Sequence, residues 1–106
     1  MKSNMYFLLT YDVVSDYIER RTEFRDAHIK LALSAVDRGE LRLGGALTEP
    51  NDGAVLLFEG DSPDVAESFA KRDPYVLNGL VKNWQVRSWS IIIGAGVSPQ
   101  NIEIST

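Results

Sequence analysis

The chain has 106 residues, 44% of them hydrophobic, which suits one globular domain over residues 1–106 that still leaves a large share of its surface uncovered when it folds alone. A formal net charge of −4, a pI near 4.9 and eleven scattered basic residues exclude the clustered positive surface that nucleic acid or an anionic membrane requires. The absence of cysteine excludes disulfides, thiolate metal sites and cysteine nucleophiles.

The opening "MKSNMYFLLTYDVV" has an apolar run too short for a membrane span and no small-residue cleavage site, so a cytoplasmic chain is expected. "MYFLLTY" (5–11) is rich in aromatic and aliphatic residues and is ended by Asp12, which predicts a strand. Asp16 followed by Glu19 has the spacing of a capping box. Behind it, Tyr17, Phe24, His28, Leu31 and Ala35 share one helical face, with Arg20, Glu23, Lys30 and Asp37 mostly turned away, and Gly39 ends the helix. The Arg20-Arg21 pair reads as part of the solvated face. "ELRLGGALTE" (40–49) and "GAVLLFEG" (53–60) predict two more strands, joined through Pro50-Asn51-Asp52-Gly53. After "DSPD", Pro63 stands where a first helical turn begins, and Val65, Ala66, Phe69 and Ala70 form the apolar face of a second helix. Pro74 disfavours helical backbone at Asp73, so that helix ends there and "PYVLNGL" starts a short new turn. "VKNWQVRSWSIII" (81–93) predicts the last strand. The core therefore spans about 5–92, and 93–106 is a tail, loosely held or used to contact a partner chain.

The order β-α-β-β-α-β predicts an α+β, ferredoxin-like fold: a four-stranded antiparallel sheet with two helices on one face. In the first strand Met5, Phe7, Leu9 and Tyr11 alternate with Tyr6, Leu8 and Thr10, and in the last Trp84 and Val86 oppose Trp89 and Ile91. Neither face is polar enough for water, yet the helices cover only one. A second copy of the same sheet is the simplest cover, so a homodimer packed through its sheet faces is expected.

Two residues carry candidate chemistry. Asp73 before Pro74 is a natural N-cap, and that reading suffices on local sequence. His28, the single histidine, falls on the apolar face of the first helix, where an imidazole is more often a satisfied core residue than a catalyst. A buried imidazole nevertheless needs a polar partner, and two helices lying side by side can bring Asp73 to it. With two acceptor oxygens, Asp73 can cap the short turn with one and accept from His28 with the other.

"RDAH" (25–28), "GELRLGGAL" (39–47), "DGAVLLFEGDSPDVAESFAKRDPYVLNGL" (52–80) and Trp89 make the chain resemble the YCII-related (YciI-like) domain family, over roughly residues 5 to 92. The resemblance implies a ferredoxin-like dimer of the dimeric α+β barrel group, with His28 and Asp73 as an active-site pair and Gly45 at the pocket edge. Many relatives carry Gly-Pro at the end of the second strand, and here Ala46 takes the proline position.

A carboxylate accepting from one imidazole nitrogen raises the basicity of the other, giving a general acid/base near neutral pH. Such a pair suits proton abstraction, tautomerisation or elimination from a small cyclic or aromatic acid. It does not suit hydride transfer, and no GxGxxG, P-loop or Gly-x-Ser-x-Gly elbow is present, so no cofactor and no metal are expected. Three readings follow. One is a small lyase or isomerase using His28 and Asp73, with Arg25 steering an anionic substrate and Tyr75 and Trp89 as pocket walls; the alternative for Arg25 is a surface ion pair. The second is a module that binds a small molecule without turnover. The third is an accessory dimer with a hydrogen-bonded His–Asp pair in its core.

Overall fold

The computed structural model of the chain describes residues 5–94. Its elements run β1 (Met5–Val13), α1 (Tyr17–Asp37), β2 (Leu41–Leu47), β3 (Gly53–Gly60), α2 (Asp64–Arg72), α3 (Pro74–Leu77) and β4 (Val81–Trp89). The strands form one sheet in the order β2-β3-β1-β4 with every neighbouring pair antiparallel, the ferredoxin-like arrangement expected.

Strand ends differ from expectation in both directions. Asp12 does not end β1: it pairs with Gly53 on one side and Asn83 on the other, and the strand continues to Val13. A polar residue is tolerated there because its side chain is on the outer face, where Asp12 is exposed. β4 stops at Trp89 instead of reaching residue 93. Ile91, past its end, is buried with Tyr6 and Leu57 in a small second cluster on the face away from the helices. The tail expected over 93–106 lies outside the described residues from 95 on.

The helix ends show which local signals operate. Asp16 stands at the N-cap of α1, but its side chain makes no cap hydrogen bond, so the expected capping box does not form. Its carboxylate lies 3.9 Å from Arg20 instead. At the other end Gly39 adopts φ +79, Glu40 N–H donates to Ala35 and Gly39 N–H to Val36, which is the Schellman closure. α3 closes the same way: Gly79 is at φ +79, Leu80 N–H donates to Tyr75 and Gly79 N–H to Val76.

The core lies between the helices and one sheet face. Phe7, Leu9 and Tyr11 of β1 meet Leu56 and Phe58 of β3 and Ala66, Phe69 and Ala70 of α2, all buried. Truncating a residue so placed, such as Phe69, typically costs about 3–5 kcal/mol. α1 contributes Tyr17 and Ala35 fully and Phe24 and Leu31 in part, which is the face its spacing predicts. The opposite sheet face is less well covered. Leu43 is 68% exposed opposite Leu57, and Trp89 46% exposed opposite Tyr6.

Candidate functional site

The site is organised by the Asp73-Pro74 step. Pro74 holds Asp73 in extended backbone, φ −67 and ψ 123, so α2 stops and the Asp73 carboxylate is turned back over the first residues of α3. There Oδ1 accepts from Tyr75 N–H at 3.0 Å, the expected cap. The same oxygen lies 2.8 Å from His28 Nδ1, while Oδ2 accepts from the Tyr11 hydroxyl at 2.6 Å. The division of labour thus differs from expectation: cap and imidazole share one oxygen, and the other belongs to β1. Asp73 is the one buried polar residue of the described chain, 0% exposed, and a buried carboxylate persists only with such partners.

His28 is fixed on three sides. Nδ1 faces Asp73, Tyr75 stacks on the ring with centroids 3.9 Å apart and planes 10° from parallel, and Phe69 meets it edge-on at 6.4 Å. A carboxylate can only accept, so Nδ1 is the donor in this pair, and in the neutral ring Nε2 then keeps its lone pair.

Beside this ring a cavity of about 350 Å³ opens between α1 and the β2–β3 side of the sheet. Tyr11, His28 and Tyr75 line it together with Arg21, Arg25 and Tyr17. Positions 21, 25, 28, 29, 32 and 36 of α1 all contribute, the spacing of a single helical face. The floor is kept low by small residues, Gly44, Ala46 and Ala54. A Cβ at Gly44 would stand 3.4 Å from Leu56 Cγ, whereas at Gly45 it would meet nothing within 4 Å.

Of the residues singled out in the sequence, His28, Asp73, Arg25, Gly45 and Tyr75 are brought to one place. Trp89 is not: its register partner is Tyr6, on the sheet face away from the helices, so it walls no part of this cavity. Arg25 forms no ion pair among the described residues and lines the cavity. Arg21, read as solvated, also turns inward, its guanidinium 5.5 Å from the Tyr17 ring centroid; Arg20 bonds the Asn78 carbonyl at 2.9 Å. Tyr11, Tyr17, Arg21 and Gly44 carry no signal of their own in the sequence; the alternation of β1 and the four-residue spacing back from Arg25 are the only hints.

The phenols carry the clearest electrostatic mark. Burial, and next the Asp73 charge and hydrogen bond, push Tyr11 far above its ordinary range. Tyr75 is also raised, by burial first and then by Tyr17, with Arg25 and Arg21 opposing. Both therefore keep their protons near neutral pH; Tyr11 donates its proton to Asp73, and that of Tyr75 is available to donate. Among the described residues no group of three or more His, Asp or Glu is arranged to hold a metal ion.

Comparison with known proteins gives one family: the YCII-related domain matches residues 5–90. No curated protein matches the chain. Solved structures are similar in fold. One is the 5-chloro-2-hydroxyhydroquinone dehydrochlorinase TftG of Burkholderia phenoliruptrix AC1100, in complex with 2,5-dihydroxybenzoquinone, at 22% identity and TM-score 0.67 over 80% of this chain and 93% of that one. Another is a nipsnap family protein of Agrobacterium tumefaciens str. C58, at 18% identity and TM-score 0.54 over 83% and 87%. A dimeric ferredoxin-like protein from an uncultured marine organism has 15% identity and TM-score 0.51 over 82% and 86%.

Proposed function

The chain belongs to the YCII-related domain family, and from that premise we propose that it is a small lyase or isomerase acting by proton transfer on a small cyclic or aromatic acid. The observation that carries this reading is the buried Asp73 carboxylate 2.8 Å from His28 Nδ1, with His28 lining a cavity large enough for a single ring. Nε2 takes a proton from a carbon or hydroxyl of the bound ring. The electron pair released moves into the ring and, in an elimination, a leaving group departs with its own bonding pair. In an elimination the proton and the leaving group are then released as the acid, in a tautomerisation Nε2 returns the proton to another atom of the ring, and neither route needs an oxidant or reductant.

Asp73 is the positioning carboxylate. It holds the imidazole tautomer and balances the charge that His28 gains while it carries the proton. Tyr11 fixes the other oxygen of that carboxylate, so the pair is rigid before a ligand arrives. The dehydrochlorination named for TftG is an elimination of this kind, and a hydroxylated ring is the substrate type tried first.

We take the working form to be a single-domain, cytoplasmic homodimer packed through its sheet faces. Exposed Leu43 and Trp89 on the outer face support this, as does the dimeric state named for one structural neighbour.

The test is turnover of 5-chloro-2-hydroxyhydroquinone and related hydroxylated ring acids, followed by chloride release and ring absorbance, with wild type and His28→Ala. Loss of the base should lower the rate on the order of 10²–10⁴-fold. Equal rates in the two proteins would remove His28 from the chemistry, and no turnover alongside retained binding would leave a binding module.

A further inference from the structure

The proton-transfer pair does not use everything the cavity offers. The Tyr75 hydroxyl is buried, in a residue 2% exposed, and has no hydrogen-bond partner within 3.5 Å, although the Arg25 guanidinium is near enough to act on it as a donor. A hydroxyl in that state is uncommon in folded proteins and marks a place where a partner is missing. Tyr75 is held rigid by the stack on His28 and by the edge contact with Tyr17 at 5.7 Å, so its hydroxyl cannot swing out to water.

The same cavity is lined by Arg21 and Arg25, one helical turn apart on α1. Neither meets a carboxylate among the described residues. Both line the cavity together with Tyr75, and both guanidinium charges act on its phenol. The remainder is apolar, with Ile29, Ala32 and Leu56 among its walls. Two unbalanced cations in a chain of net charge −4 are a local reversal of the molecule's overall sign.

We propose that the cavity holds an oxyanion subsite: the ligand binds as a carboxylate or phenolate anion on a small apolar ring, its charged oxygen received by the Tyr75 hydroxyl and the guanidinium groups of Arg21 and Arg25. This rests on the proton-transfer reading above for its relation to His28 and adds the charge class of the substrate. Tyr75 stacks on His28, and the two residues line the same cavity. The anion holder and the base are therefore neighbours by construction. Charge-assisted donors to an anion are about twice as strong as neutral ones, which makes the subsite selective for the ionised ligand.

Isothermal titration with matched pairs tests this: benzoate against benzamide, and 4-nitrophenolate against nitrobenzene. Each anion that fits should bind at least about tenfold more tightly than its neutral counterpart, and Tyr75→Phe and Arg25→Met should each lose about tenfold for the anion and little for the neutral molecule. A preference confined to benzoate assigns a carboxylate, and one confined to 4-nitrophenolate assigns a phenolate. Thermal melts of both variants show that they are folded. No anion preference in either pair, or anion affinity unchanged in both variants, overturns the subsite. Selective anion binding without turnover would remove the catalytic reading and keep the subsite, while turnover without anion preference would do the reverse.

Discussion

The Tyr11 hydroxyl donates to Asp73 Oδ2 at 2.6 Å, across a sequence separation of 62 residues, and so ties the central strand β1 to the cap of the short helix α3. Replacing Tyr11 by Phe keeps the ring in the core and leaves Oδ2 buried with no donor. An unpartnered buried acceptor typically costs roughly 1–3 kcal/mol, more where it is charged. Urea unfolding of Tyr11→Phe should show that loss with an unchanged denaturant slope. A stability equal to wild type would mean that the bond is not formed in solution.

Asp73 supports more than the cap. In Asp73→Ala the Tyr75 N–H, the Tyr11 hydroxyl and His28 Nδ1 lose their shared acceptor at once. A lost N-cap costs about 1 kcal/mol and an orphaned buried donor about 1–3, so a loss of about 2–4 kcal/mol is expected. Asp73→Asn keeps one oxygen for the cap and should lose less. If the alanine variant loses only what a cap is worth, the contacts to His28 and Tyr11 contribute nothing to folding.

Tyr11 and Tyr75 both hold their protons more tightly in the folded chain than in the unfolded one, where a tyrosine titrates near 10. The sign follows from linkage. Below about pH 10 both states are protonated and these groups add no pH dependence; above it the unfolded state releases protons first, so stability falls as pH rises. Unfolding free energies measured between pH 8 and 11 should decline above about 10, and Tyr11→Phe should flatten that decline. A decline of equal slope in the variant would assign it to other groups.

The outer sheet face predicts self-association. Leu43 and Trp89 are 68% and 46% exposed, and they stand opposite the buried pair Leu57 and Tyr6. Light scattering at micromolar concentration should give twice the monomer mass, and Leu43→Glu combined with Trp89→Ser should return it to the monomer value with the far-ultraviolet spectrum unchanged. A wild-type monomer would leave the apolar face without the cover proposed for it.

Much of this was legible in the sequence because the signals were local. The bounds read for "GAVLLFEG" match β3 residue for residue, Gly39 ends α1 as a left-handed glycine should, and Pro74 stops α2 where its ring demands. The pairing of His28 with Asp73 rested on adjacency of two helices together with the family resemblance, and both residues do meet. What was not legible depends on register. Trp89 is an aromatic residue near the end of a strand, and only its pairing with Tyr6 shows that it faces away from the cavity. Tyr11 reads as another core aromatic until the sheet places it beside Asp73. Asp16 has capping-box spacing, yet its carboxylate is drawn to Arg20, a competition that spacing does not reveal.

Proton transfer by His28 as proposed requires it to donate from Nδ1 to Asp73 and to keep Nε2 bare. The chain has one histidine, so its two ring nitrogens are the only imidazole signals in a long-range proton–nitrogen correlation spectrum of ¹⁵N-labelled protein. At a pH where the ring is neutral, the expected spectrum has the protonated-type shift at Nδ1 and the lone-pair-type shift at Nε2, and Asp73→Ala should mix the two tautomers. A proton on Nε2 of the neutral ring in the wild-type protein would contradict the proposed role, because that nitrogen could not then act as the base.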